Sequence, residues 1–311
     1  MRFVWATARK DLIRKLSDPV ALAIWIGIPA MIGGLMTAMA GDVLLVGGGK
    51  MGGALAAGWL RGPLDAARLT IVEPDDGTAQ RLAPLGATCV PAPVALPGGL
   101  RPAAIVYAVK PQVMADVVPL YAGVGGPETV HLSIAAGWPV RLLERDLGPV
   151  AVVRAMPNTP AAIGEGMTVA CANEATSGEQ QALCEALLSA VGAVAWIDDE
   201  ALMDAVTAIS GSGPAYVFLL AECLAEAAVE AGLPTDLART LADRTVSGAG
   251  ALLAQSEDSP ATLRRNVTSP GGTTEAALSV LMAADGLAPL MTRAVHAAAA
   301  RSRTLAPSKP R

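Results

Sequence analysis

Gly47, Gly49 and Gly52 stand in the pattern G-x-G-x-x-G. The apolar run Val43-Leu44-Leu45-Val46 precedes them, and residues 54–60, of helical character, follow. That strand–turn–helix context is what the pattern needs to mark a dinucleotide loop. Gly47 permits the tight turn, Gly49 lets backbone approach a pyrophosphate, and Gly52 lets helix and strand pack closely. The helix N-terminus behind them offers N–H groups and a partial positive charge to phosphates. A second apolar run, residues 69–72, ends at Glu73, about 20 residues past Gly52, where an acidic side chain accepts from a ribose 2′-OH. The alternative for Glu73 is an ordinary exposed loop acid. A carboxylate there repels a 2′-phosphate, and no Arg or Lys follows before Arg81, so the residues lean towards NADH.

Two more apolar runs complete this half. Residues 103–109 end at Lys110-Pro111, and residues 129–134 end at Ala135-Ala136-Gly137. Ligands sit at the carboxyl ends of strands in an open parallel sheet, so Val109, Lys110 and Ala136 are expected to converge on the cofactor. His131 lies within the fourth run, at a core or edge position and not a catalytic one.

Scarcity limits the remaining chemistry. The lysines are Lys10, Lys15, Lys50, Lys110 and Lys309, so no ammonium group falls on a C-terminal helix. A 3-hydroxyacid dehydrogenase would want one on the long helix between its domains. His131 and His296 are the two histidines. Cys89, Cys171, Cys184 and Cys223 are scattered with no C-x-x-C, which excludes a zinc finger, argues against a disulfide framework and fits the reducing cytoplasm. A net charge of -5 argues against a nucleic-acid partner. With 311 residues, 52% hydrophobic and 16% charged, the chain is long and apolar enough for two folded domains.

From Glu200 onward the sequence is rich in Ala and Leu. Residues 201–209 read as one helix, broken at Gly211-Ser212-Gly213. A long helix follows over residues 215–231, with Pro214 in its first turn and Gly232 at its C-cap, and another over residues 236–255. Phe218, Leu219, Leu220, Leu224 and Val229 surround too much of their helix for one amphipathic stripe. They must be buried, either against a second subunit or within one. Ser269-Pro270-Gly271-Gly272-Thr273-Thr274 reads as a loop opening a helix near Glu275. Its backbone N–H groups can bind an anion such as a carboxylate; the alternative is a plain helix start capped by Thr273 or Thr274.

Arg154-Ala155-Met156-Pro157-Asn158-Thr159-Pro160, Gly164-Glu165-Gly166-Met167-Thr168 and Ser210-Gly211-Ser212-Gly213-Pro214-Ala215-Tyr216 complete the set of motifs. Together with the Ser269–Thr274 loop and the segments at residues 108–111 and 133–137, they resemble the pyrroline-5-carboxylate reductase family over residues 43–305. The resemblance implies reduction of 1-pyrroline-5-carboxylate to L-proline with NADPH or NADH. It implies an α/β Rossmann-type N-terminal domain and an all-α C-terminal dimerisation domain, the dimer assembling further into a decamer. It places Gly48, Lys50 and Met51 on the pyrophosphate and ribose, Val109, Lys110 and Ala136 beside the nicotinamide, and Asn158 and Asn266 on the cofactor. Glu200, Ser269, Gly271, Gly272, Thr273 and Thr274 fall to the substrate. The family's adenosine-contacting Asn is missing from residues 91–97.

On this reading residues 42–198 are the dinucleotide-binding domain, 199–305 the helical domain and 306–311 a tail. With no His or Lys in the C-terminal motifs, catalysis is expected to rest on positioning. Thr274 Oγ1 bonds the ring nitrogen, and the N–H groups of Gly271, Gly272 and Thr273 hold the carboxylate. Glu200 either bonds the substrate amine or caps its own helix.

Residues 1–41 differ in character. After a basic start, residues 19–40 carry no charge, long enough to cross a bilayer. They read either as a membrane anchor or as an upstream extension to an enzyme beginning at Met39.

Overall fold

The computed structural model describes residues 41–62 and 64–305. The expected hydrophobic extension over residues 1–40 and the tail over 306–311 lie outside them. The described residues up to Glu200 form one compact unit, and those from Ala201 onward form a second.

The first unit is an α/β sandwich around one eight-stranded sheet of order β3-β2-β1-β4-β5-β6-β7-β8. The strands are β1 Val43–Val46, β2 Leu69–Val72, β3 Thr88–Val90, β4 Ala104–Tyr107, β5 Val130–Ser133, β6 Ala151–Met156, β7 Gly166–Ala172 and β8 Gly192–Trp196. Neighbours are parallel except β6 and β7. Every residue of β1, β2, β4 and β5 is buried. A parallel sheet covered on both faces needs such unbroken apolar strands. Val43 and Leu45 face one core, lined by helices α1 Lys50–Arg61 and α4 Gly178–Ser189; Leu44 and Val46 face the other, lined by residues 114–121 and helix α3 Val140–Leu147. Trp59 is fully buried, and its indole N–H donates to the Leu187 carbonyl at 2.7 Å, which ties α1 to α4. Helix α2 Asp76–Leu82 follows β2, with Asp75 as its N-cap accepting from the Thr78 N–H.

Strand order reverses on either side of β1. The carboxyl ends of β2, β1, β4 and β5 therefore lie side by side, with Gly47 N–H on the Val72 carbonyl, Ala108 N–H on Val46 and Ile134 N–H on Tyr107. A crevice at such a switch point is where an open α/β sheet takes its ligand.

The second unit is all helical: α5 Gly213–Glu230, α6 Thr235–Gln255, α7 Pro260–Asn266, α8 Thr273–Leu281 and α9 Leu287–Leu305. Helices α5 and α6 pack along each other. The helix expected over residues 201–209 is not regular. A 3₁₀ turn at Glu200–Leu202 leads through a short α-helical turn, Met203–Val206, into a π-turn at Thr207–Gly211. Thr207 Oγ1 donates back to the Met203 carbonyl, and the Thr207 carbonyl accepts from Ser212 N–H five residues on. The widened turn carries the chain into α5 where a break was expected at the glycines. Helix α5 ends at Glu230 with Ala231 as its C-cap, one residue before the expected cap, and Gly232 follows with a φ of 98°.

No residue of α5 is buried, although Phe218, Leu219, Leu220 and Leu224 are all large and apolar. Within its own unit the helix leaves this surface to water. Packing inside its own helical unit therefore does not cover this face, and a contiguous patch of this kind marks an association surface.

Candidate active site

The glycine loop joins β1 to α1. Gly47 has a φ of 95°, and a Cβ there would lie 2.8 Å from Val109 Cγ1. Two constraints, one on backbone conformation and one on space, thus require glycine. A Cβ on Gly52 would fall 2.1 Å from the Gly47 carbonyl oxygen, so this glycine is what lets the helix start against the loop. Gly49 differs from both, since a Cβ there would meet nothing within 4 Å. It is the N-cap of α1, and no side chain caps the helix. The first N–H groups of a helix have no partner within it. An uncapped N-terminus beside open space is a cradle for a phosphate group, and a dinucleotide fits these residues.

Glu73 closes the loop from the β2 side. Its Oε2 accepts from Gly48 N–H at 2.7 Å and its Oε1 from Asp75 N–H at 2.9 Å. Its own N–H donates to the Val90 carbonyl on β3. Beside it, hydrogen bonds from the Thr78 hydroxyl and N–H hold Asp75 below its usual pKa. Across the switch point, Val109 and Ala136 are half-buried and Lys110 is exposed at the strand ends. One strand further on, Asn158 Oδ1 accepts from Met167 N–H at 2.9 Å, which fixes the turn between β6 and β7.

Glu200 is held inside the first unit. Its Oε1 accepts from Arg154 Nη1 at 2.7 Å and from Val140 N–H at 2.9 Å. His131 is buried in β5, and its Nδ1 lies 2.9 Å from the Tyr107 hydroxyl. It is the core residue that the strand pattern suggests.

In the second unit, the loop at Ser269–Thr274 opens α8. The helix begins at Thr273, two residues before the expected start, and its N-cap is Gly272 with no side-chain bond. The capping role considered for Thr273 and Thr274 is therefore not filled, and among the described residues neither hydroxyl is tied by a hydrogen bond. The expected set of anion donors changes. Gly271 N–H donates to Glu275 Oε2 at 2.7 Å and Gly272 N–H to the Ser269 carbonyl, so two of the three assigned N–H groups are engaged within the loop. Those of Thr273 and Thr274, in the helix's first turn, remain. Glu275 was not singled out in the sequence, and an acidic residue in a helix's first turn was the signal that could have found it. Asn266 ends α7, its Nδ2 at 3.5 Å from Asp258 Oδ2.

Comparison with known proteins gives these loops a setting. Residues 200–305 match the family model described as pyrroline-5-carboxylate reductase dimerisation. The chain is 41% identical to the pyrroline-5-carboxylate reductase of Pseudomonas aeruginosa, over 85% of this chain and 96% of that one. The chain belongs to the pyrroline-5-carboxylate reductase family. Among solved structures, the reductase of Coxiella burnetii is 33% identical with a TM-score of 0.80, covering 86% of this chain and all of that one. The Plasmodium falciparum reductase, solved with NADP bound, is 28% identical with a TM-score of 0.71, over 86% of this chain and 98% of that one. The matched helical segment contains the exposed face of α5.

Proposed function

We infer that this chain reduces 1-pyrroline-5-carboxylate to L-proline with NADPH or NADH, the last step of proline biosynthesis. The observation that carries the reading is kinship over 96% of the length of a pyrroline-5-carboxylate reductase, with the nucleotide cradle intact.

The reaction adds a hydride to the imine carbon and a proton drawn from water to the imine nitrogen, so that C=N becomes CH–NH. The reduced nicotinamide supplies the hydride. Gly47, Gly48, Gly49, Lys50, Met51 and Gly52 hold the pyrophosphate and its ribose at the end of α1. Val109, Lys110 and Ala136 border the nicotinamide, and Asn158 and Asn266 add polar contacts to the cofactor. The N–H groups of Thr273 and Thr274 grip the substrate carboxylate in the turn formed by Ser269, Gly271 and Gly272. Thr274 Oγ1 hydrogen-bonds the ring nitrogen as it gains its proton. No histidine or lysine lies in this turn, so alignment of the reacting atoms supplies much of the rate.

The chain self-associates through the dimerisation segment, with α5 as its apolar core, and we extend this to a decamer. The same reading places the enzyme in the cytoplasm. Fractionation of the full chain against one starting at Met39 decides whether residues 1–40 tether it to a membrane.

The purified chain should oxidise NADH or NADPH when given 1-pyrroline-5-carboxylate, form proline in equal amount, and leave 3-hydroxyacids untouched. Absence of turnover with both coenzymes would refute the assignment.

A further inference from the structure

We propose that Glu73 makes this reductase select NADH over NADPH. The inference rests on the reading of the glycine loop as the nucleotide site. It goes beyond that reading by naming the residue that discriminates between the two coenzymes.

Three observations support it. First, the carboxylate is fixed in place. Gly48 N–H and Asp75 N–H hold its two oxygens, and the backbone N–H of Glu73 is anchored on β3. Glu73 cannot swing away from the loop without giving up two hydrogen bonds. Second, Gly48 is shaped for it, since a Cβ at that position would come 3.3 Å from Glu73 Oε2 and 2.3 Å from Leu82 Cδ1. The bare backbone makes room first for Leu82 and, by a few tenths of an ångström, for the carboxylate. Third, the first charges that follow Glu73 in the chain are negative. Asp75 follows Glu73 in the connection from β2 to α2, and Asp76 opens α2. The first basic residue after Glu73, Arg81, lies in the last turn of α2, where its Nη2 donates to Thr78 Oγ1 at 2.7 Å.

The two coenzymes differ at the ribose 2′ position. A 2′-hydroxyl donates a hydrogen bond to a carboxylate standing at the end of β2. A 2′-phosphate has no proton to donate there and brings about two negative charges towards a fixed one. A site that welcomes the phosphate uses an arginine at this place instead. Here the acid stands at this place, and the first arginine after it, Arg81, lies in the last turn of α2.

Direct binding to the coenzyme-free full-length chain tests this without turnover. Calorimetric titration should give a Kd for NADH about 10–100-fold below that for NADPH, as expected for one hydrogen bond traded for charge repulsion. Glu73→Ser should weaken NADH and tighten NADPH until the two lie within about threefold of each other. Glu73→Gln, which keeps an acceptor for Gly48 N–H, should fold like the parent by circular dichroism and also narrow the gap. Equal affinities in the parent chain, or a Kd ratio unmoved in both variants, would overturn the role of Glu73 while leaving the reductase assignment standing. Failure of both coenzymes to bind would overturn the nucleotide site and this inference with it.

Discussion

Arg154 and Glu200 meet at 2.7 Å, joining the middle of the sheet to the last residue of the first unit. The Arg154 side chain is 8% exposed and that of Glu200 29%. The same carboxylate oxygen receives Val140 N–H, the first amide of α3. One carboxylate thus neutralises a buried guanidinium and caps a helix that has no side-chain cap of its own.

This arrangement makes Glu200 a positioning residue before it is a substrate ligand. Glu200→Gln keeps the shape but removes the charge. It should cost about 1.5–3 kcal/mol, the range for a hydrogen bond to a charged group. For a chain of this size that lowers Tm by roughly 3–12 °C. The KM for 1-pyrroline-5-carboxylate should stay within about threefold, since one lost substrate contact would move it by tenfold or more. An unchanged Tm with a tenfold rise in KM would return Glu200 to the substrate.

Gly49 and Gly52 separate binding from folding. A methyl group on Gly49 enters open space, and its φ of -59° is not in the left-handed region. Gly49→Ala should therefore melt within a few degrees of the parent yet weaken coenzyme binding at least tenfold by blocking the approach of the phosphates, as a titration would read. Gly52→Ala places its methyl 2.1 Å from the Gly47 oxygen. The loop must move, at about 1–3 kcal/mol as for other overpacked sites, so melting temperature and binding fall together. Equal effects of the two substitutions would remove the distinction between cradle and packing.

Thr274 lies in the first turn of α8 with its hydroxyl unbonded, so Thr274→Val should change stability little. If that hydroxyl serves the imine nitrogen, kcat/KM should fall about 10–100-fold, as for one polar contact of about 1.5–3 kcal/mol. Steady-state kinetics with a melting curve as control checks both statements, and an unchanged kcat/KM excludes Thr274 from the reaction.

What the sequence made legible follows from what each pattern depends on. Strands β1 and β2 were readable to the residue, because each is an unbroken apolar run ended by Gly47 or Glu73. Strands β6, β7 and β8 were not singled out. They are richer in Ala and mixed with Arg154 and Thr168, and β8 has no fully buried residue to impose a pattern. The π-turn at Thr207–Gly211 escaped because it depends on one side chain's bond to the backbone, which no periodicity records. At the site, residue types were legible and partners were not. Glu73 stood out by its spacing, but its bond to Gly48 is a contact across the sheet. The carboxylate turn was assigned from its glycines, whereas Glu275 takes one of the amides they supply.

The buried pair Tyr107 and His131 gives a pH dependence independent of the active site. Burial pushes the Tyr107 phenol up, so its O–H is retained within hydrogen-bond reach of His131 Nδ1 at 2.9 Å. Burial also lowers His131 to about 4 from an ordinary 6.5. The folded protein therefore keeps a neutral imidazole that the unfolded chain protonates below about pH 6.5. Over that window the unfolded state binds the extra proton, so stability is whole above pH 6.5 and declines as the pH falls towards 4. The full shift corresponds to about 3 kcal/mol. Thermal melts of the parent against the double variant Tyr107→Phe, His131→Leu, taken from pH 7.5 to 4.5, isolate this contribution. The parent should lose about 2–3 kcal/mol more than the variant across the window. Parallel curves would show that His131 is not held neutral in the folded state.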